Sequence, residues 1–236
     1  MRRALLLAFA LLTPLAQAAD LKPFTASYTA DWKQLPMSGT AERDLIANAN
    51  GQWSLSFKAS MMIASLTESS EFKYDNGAFL PQSYRYERGG LGKSKSVNLD
   101  FDWSAKKITG SDRGSAVNLP LNNGVLDKST YQLALQHDVA AGKKSMSYPV
   151  VDGDDLDTYD FRVLGEEKVS TKAGTVDAIK VERVRDPTQT KRTTLLWFAK
   201  SWDYLLVRLD QTETDGKEYS IVLQEGTVDG KPVKGD

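Results

Sequence analysis

Apolar residues recur at every second position through most of the chain. Phe24, Ala26, Tyr28, Ala30 and Trp32 share one face of an extended segment, and Thr25, Ser27, Thr29 and Asp31 the other. Trp53, Leu55, Phe57 and Ala59 alternate with Ser54, Ser56 and Lys58, and Val97, Leu99, Phe101 and Trp103 with Ser96, Asn98, Asp100 and Asp102. Further runs cover Tyr159-Phe161-Val163, Val176 to Val184, Thr193 to Phe198, Tyr204 to Leu209 and Tyr219-Ile221-Leu223. A period of two belongs to a sheet with one buried and one wet face. Turn sequences punctuate the runs: Asn50-Gly51, Asn76-Gly77, Gly89-Gly90, Ala173-Gly174 and Asp215-Gly216. They supply the positive φ of tight hairpins, and such short loops join antiparallel neighbours. The pattern predicts a mainly β fold, one large curved antiparallel sheet or barrel-like meander of roughly ten to twelve strands.

One segment departs from this period. Asp127-Lys128-Ser129-Thr130 offers capping residues, Tyr131, Leu133, Ala134, Leu135 and Val139 follow at helical spacing, and Gly142 ends the run. This predicts one short helix over about 127–141. With neither a linker nor a fixed-period repeat, residues 19–226 read as a single β-rich domain and 227–236 as a flexible tail. The first eighteen residues read as a signal peptide. Arg2 and Arg3 are followed by the apolar run Ala4 to Leu12, Pro14, and the small residues Ala16 and Ala18. That apolar run is too short to span a bilayer. The expected location is the periplasm, with secretion as the alternative, and no integral membrane segment is expected. Removing the two arginines takes the net charge from −1 to −3.

Several phrases in fixed order carry a resemblance. They are Phe101-Asp102-Trp103, Asp127-Lys128-Ser129-Thr130-Tyr131-Gln132-Leu133-Ala134, Gly174-Thr175-Val176-Asp177-Ala178, and Leu196-Trp197-Phe198-Ala199 followed by Tyr204-Leu205-Leu206-Val207-Arg208. Over roughly residues 24–224 the chain resembles the bacterial exported family called domain of unknown function 3108. The resemblance implies an exported β-rich fold and brings no catalytic residues. Leu206 stands where members often carry proline.

Composition narrows the chemistry. There are 30 Lys+Arg against 31 Asp+Glu, so no bulk basicity draws the chain to nucleic acid. With no cysteine and one histidine there is neither a thiolate site nor a two-histidine metal centre. His137 lies late in the helix, without a nucleophile elbow anywhere in the chain. The acidic stretch from Asp152 to Asp160 fails the register of a calcium loop and reads as a hairpin turn. Gly89-Gly90-Leu91-Gly92-Lys93-Ser94 lacks the spacing of a phosphate loop. Asp100 and Asp102 are the best carboxylate pair for a glycan-acting enzyme, the least favoured class. Neither a catalytic residue nor a metal or cofactor is assigned.

The unusual feature is arginine on the apolar face. Arg43 is in register with Ala41 and Leu45, Arg183 with Ile179 and Val181, and Arg208 shares parity with Tyr204 and Leu206. A guanidinium inside a barrel is either paired or faces a wet cavity. Tyr84, Tyr86, Trp103, Trp197 and Trp202 are aromatic candidates to line such a cavity. Met61 to Leu66 reads first as a strand buried on both faces, second as the lip of a pocket. The primary expectation is a non-enzymatic binding or carrier module for a lipid, glycolipid or polysaccharide, with the helix at the open side of the sheet. Arg43, Arg183, Arg208, Tyr84, Tyr86, Trp103 and Trp197 are its candidate ligand residues. The alternative is an envelope protein with a filled core that contacts another protein.

Overall fold

The computed structural model describes residues 21–34, 38–90 and 94–236; the expected signal peptide lies outside them. Among these residues the chain forms fifteen strands and one α-helix. The first half holds β1 (Phe24–Trp32), β2 (Ser38–Ala47), β3 (Gln52–Met61), β4 (Ala64–Asp75), β5 (Ala78–Gly90), β6 (Lys95–Asp102), β7 (Lys107–Asp112) and β8 (Ser115–Pro120). Helix α1 (Thr130–Ala140) follows. The second half holds β9 (Ser145–Asp152), β10 (Asp155–Thr171), β11 (Gly174–Val184), β12 (Thr193–Ala199), β13 (Leu205–Thr212), β14 (Glu218–Val228) and β15 (Lys231–Pro232). The expected ten to twelve strands undercount the sheet. Long β4 is the instructive case, because its inward face carries Glu68 and Ser70. These polar side chains interrupt the apolar alternation by which a strand is recognised.

The strands form one antiparallel sheet in the order β8-β7-β6-β5-β4-β3-β2-β1-β14-β13-β12-β11-β10-β9. The two halves thus meet through the pairing of β1 with β14, and the sheet curls until β8 and β9 approach each other. Residues 121–126 occupy the seam. Leu126 bridges Val150 in parallel, its N–H donating to the Pro149 carbonyl at 2.9 Å and its carbonyl accepting from Val151 N at 2.9 Å. Gly153, at φ +74, brings the β9–β10 turn against β7. A Cβ there would lie 2.4 Å from the Asp112 carboxylate, so only glycine fits.

Helix α1 lies inside the curl, and not at its open side. Asp127 starts it. Its Oδ1 accepts the N–H groups of Ser129 and Thr130 at 2.8 and 2.7 Å, while Thr130 Oγ1 accepts the Asp127 N–H at 3.0 Å. This reciprocal cap makes the predicted start at 127 the capping residue and places the first helical residue at 130. Gly142, at φ +80, ends the helix. No residue of α1 is exposed; Leu133, Ala134, Leu135 and Val139 are buried in the main core with Tyr28, Leu45, Phe72 and Phe161. Of the half-buried polar side chains, Gln136 donates to the Asp203 carbonyl while its Oε1 stays buried without a partner, and Asp138 accepts from Tyr148.

Two further expectations change. Residues 227–236 are not frayed. β15 pairs with β14, Val233 is buried, and Gly235 N donates to the Ala173 carbonyl. Met61 to Leu66 is not a doubly buried strand but the end of β3, a turn and the start of β4, with Met62 86% exposed. No helix among the described residues is long and apolar enough to cross a membrane.

Candidate functional site

Because neighbours alternate in direction, the odd-numbered strands β1 to β13 all run toward one end of the curl. Helix α1 fills only the other half. Burial along the inward faces records the difference. On β3 Leu55 is buried, while Phe57 and Ala59 are half-buried. On β4 Phe72 and Ser70 are buried, while Glu68 and Leu66 are half-buried. On β14 Leu223 is buried, while Ile221 and Tyr219 are half-buried. On these three strands the inward side chains thus pass from buried beside α1 to half-buried toward one end, the recess of the curl, while Ala30 of β1 and Ala41 of β2 stay buried there.

Tyr131 and Glu68 each keep part of their surface accessible. Burial is nonetheless the largest influence on both, raising Glu68 above the usual carboxylate range and Tyr131 to about 12. Tyr131 feels the charges of Arg183, Glu68, Arg185 and Asp152, and Glu68 those of Lys128 and Arg43. Residues of β2, β4, β9, β11, the segment beyond β11, and α1 therefore converge on one volume.

Arg43 is the deepest cation there. It is 2% exposed, its guanidinium stands 5.0 Å from the Phe24 ring centre, and its Nη1 is buried without a hydrogen-bond partner. Burial lowers its pKa, with Tyr28 and Glu68 opposing. Glu68 accepts hydrogen bonds from Tyr84 at 3.0 Å and Ser129 at 3.2 Å, which fixes it on the wall. Arg183 lies over the Tyr159 ring at 3.3 Å and reaches exposed Asp157 at 3.7 Å. Tyr159 in turn donates to Asp152 at 2.7 Å, and Tyr131 stacks on Phe161.

Of the seven candidate ligand residues, Arg43, Arg183, Tyr84 and Tyr86 come together around this recess. The other three do not. Trp103 lies past the end of β6 on the helix-filled half, donating to the Pro81 carbonyl at 2.7 Å. Arg208 and Trp197 are on the outer face, because Trp197 pairs with Arg208 and Phe198 with Leu206, leaving Val207 as a bulge. That extra residue reverses the parity of Arg208 relative to Leu206. There the Trp197 ring is flanked by Lys180 at 5.0 Å and Arg208 at 4.8 Å, its indole N–H bonds Glu167, and Arg208 pairs bidentately with Asp210. Trp197 itself is buried, and the partly exposed Arg208–Asp210 pair covers it, so Arg208→Ala is expected to cost about 1 kcal/mol or less in urea unfolding and to leave ligand binding unchanged.

Arg185, Arg192 and Thr194 also border the recess, and periodicity alone did not single them out. The one available signal was the shared parity of Arg183 and Arg185 beyond the end of a strand. Asp100 pairs with Arg85 at 2.6 Å and Asp102 caps the turn at Ser104 and Ala105, so the carboxylate pair is spent on local structure. No cluster of three metal-ligating side chains occurs among the described residues. A groove of about 780 Å³ lies on the outer side beneath residues 232–235, away from all seven candidates.

A curled antiparallel sheet with a helix in its hollow defines the class of β-barrel-like proteins. A crystal structure described as a beta-barrel-like protein of domain of unknown function DUF1849 from Brucella abortus is similar, with a TM-score of 0.61 at 10% identity over 89% of this chain and 99% of that one. The chain belongs to the family described as protein of unknown function DUF3108, which it matches over residues 27–223. The comparison with curated proteins gave no match.

Proposed function

We propose that this chain is a non-enzymatic binding module of the bacterial periplasm that holds an amphipathic envelope molecule, its apolar part in the recess above α1. The observation that supports this reading is the passage of the inward faces of β3, β4 and β14 from buried to half-buried at one end of the curl. A barrel built only for stability would close that end with side chains. Instead Phe57, Ala59, Leu66 and Ile221 offer apolar walls, and Arg43 a cation with an unused donor. Apolar walls with a few fixed polar groups are the usual composition of a small-molecule site.

The helix contributes a rigid floor. Because α1 is capped and packed on all sides, the recess exists before ligand arrives, and little ordering cost opposes binding. The test is to export and purify the chain without detergent, extract it, and identify bound molecules by mass spectrometry. A stoichiometric lipid or glycolipid is expected. Ala59→Trp, which places an indole in the recess, is expected to abolish that co-purification while shifting the thermal midpoint by no more than a few degrees. Equal ligand in the wild type and Ala59→Trp would place binding elsewhere. Empty extracts together with a stable protein partner would favour a module that works through its outer surface.

A further inference from the structure

We propose that the rim of the recess carries an oxyanion subsite, formed by Arg183, Arg185 and Arg192, that takes the phosphate or carboxylate headgroup of the bound amphiphile. The proposal rests on the binding reading above and adds the chemistry of the headgroup.

The three arginines flank the connection between β11 and β12. Arg185 is half-buried, and its hydrogen-bond partner is neutral: Nη1 donates to Thr194 Oγ1 at 3.2 Å. Burial is the largest cause of a pKa lowered to about 10, and the like charges of Arg183 and Arg192 lower it further. The carboxylates nearby serve the other two. Asp157 approaches Arg183 only to 3.7 Å and is largely exposed, and Glu213 meets Arg192 at 3.1 Å. Even so, the Nε atoms of both Arg183 and Arg192 are buried without a hydrogen-bond partner. Three guanidinium groups held together, with two unused buried donors and one member lacking a carboxylate, form a site that an incoming oxyanion completes. Planar guanidinium forks match phosphate and carboxylate oxygens in pairs. Beside them the Trp32 and Tyr219 rings, 5.4 Å apart, carry the wall toward the apolar part of the recess.

The test is titration calorimetry with single-chain probes below their micelle concentrations. Dodecyl phosphate and dodecanoate supply the two anionic headgroups, dodecyl maltoside a neutral one, and inorganic phosphate the anion without a tail. At least one anionic probe is expected to bind about tenfold or more tightly than dodecyl maltoside. Arg185→Gln is expected to erase that preference and leave the neutral probe unchanged. Arg192→Gln repeats the test should the first variant fold poorly by urea midpoint. Anionic and neutral probes of equal affinity, or an unaltered preference in both variants, would overturn the headgroup assignment alone. If no probe binds, the amphiphile reading fails and this one with it. Inorganic phosphate binding as tightly as dodecyl phosphate would overturn the assignment to an amphiphile.

Discussion

Asp127→Ala is expected to lower the stability of the protein by about 3 kcal/mol, while Asp127→Asn costs less than about 1 kcal/mol at neutral pH. The carboxylate is fully buried and serves three donors, the N–H groups of Ser129 and Thr130 and the Ser70 hydroxyl at 2.5 Å. Alanine strands all three in the core; asparagine keeps an acceptor for the helix cap. The loss is also structural, because the Ser70 bond ties α1 to β4 at the level where the core gives way to the recess. A loosened cap would free Tyr131 from the floor, so weaker ligand binding should accompany the lost stability.

The same residue sets a pH dependence. Burial raises the Asp127 pKa from 3.8 to about 6, against the pull of its hydrogen-bond donors. The folded state therefore holds a proton that the unfolded chain has released over this interval. Stability from this group is complete below pH 4 and is lost as pH rises through 6, by about 3 kcal/mol in all. Asp127→Asn removes the slope. Urea unfolding at pH 4, 5, 6 and 7 should thus show the asparagine variant gaining on the wild type as pH increases. A constant difference across that range would show that Asp127 titrates alike in both states.

Arg43→Met is expected to raise stability by about 1–3 kcal/mol and to weaken binding of an anionic amphiphile. Arg43 is 2% exposed, has an unpartnered Nη1, and makes no ion pair within 4.0 Å among the described residues. A buried guanidinium without a carboxylate is costly, and methionine fills similar volume at no such cost. A residue that opposes folding is retained for another reason, and the recess supplies one. Urea midpoints and calorimetric titration with dodecyl phosphate measure the two effects together. Destabilisation by about 3–5 kcal/mol would instead make Arg43 a structural partner of Glu68 and Tyr28.

Position by position, the legible parts are those governed by local chemistry. The alternation in β1, β3 and β6 and the Asp127-to-Thr130 cap were readable because strand period and helix capping act over a few residues. The inward placement of Arg43 followed from Ala41 and Leu45 on the same strand. Arg208 was misplaced because one bulged residue, Val207, reverses the faces of β13 beyond it, and Trp197 because β12 is apolar on both faces, which leaves its side undecided by pattern. The tail was misread because its contacts are to Ala173, Thr175 and Gly226, distant in sequence.

The sequence by itself therefore determined a mainly β fold, its antiparallel hairpins, the single helix, and the presence of arginine among apolar neighbours. These follow from side-chain periodicity and backbone preference, which each short segment expresses alone. Only the tertiary structure decided that the helix lies within the curl and fills half of it, leaving a recess at the other end. It also decided that Arg43, Glu68, Tyr131 and Arg183 share that recess, coming as they do from strands and a helix far apart in the chain. Their proximity depends on how far the sheet curls and on which hollow the helix occupies, and these are properties of the closed chain as a whole.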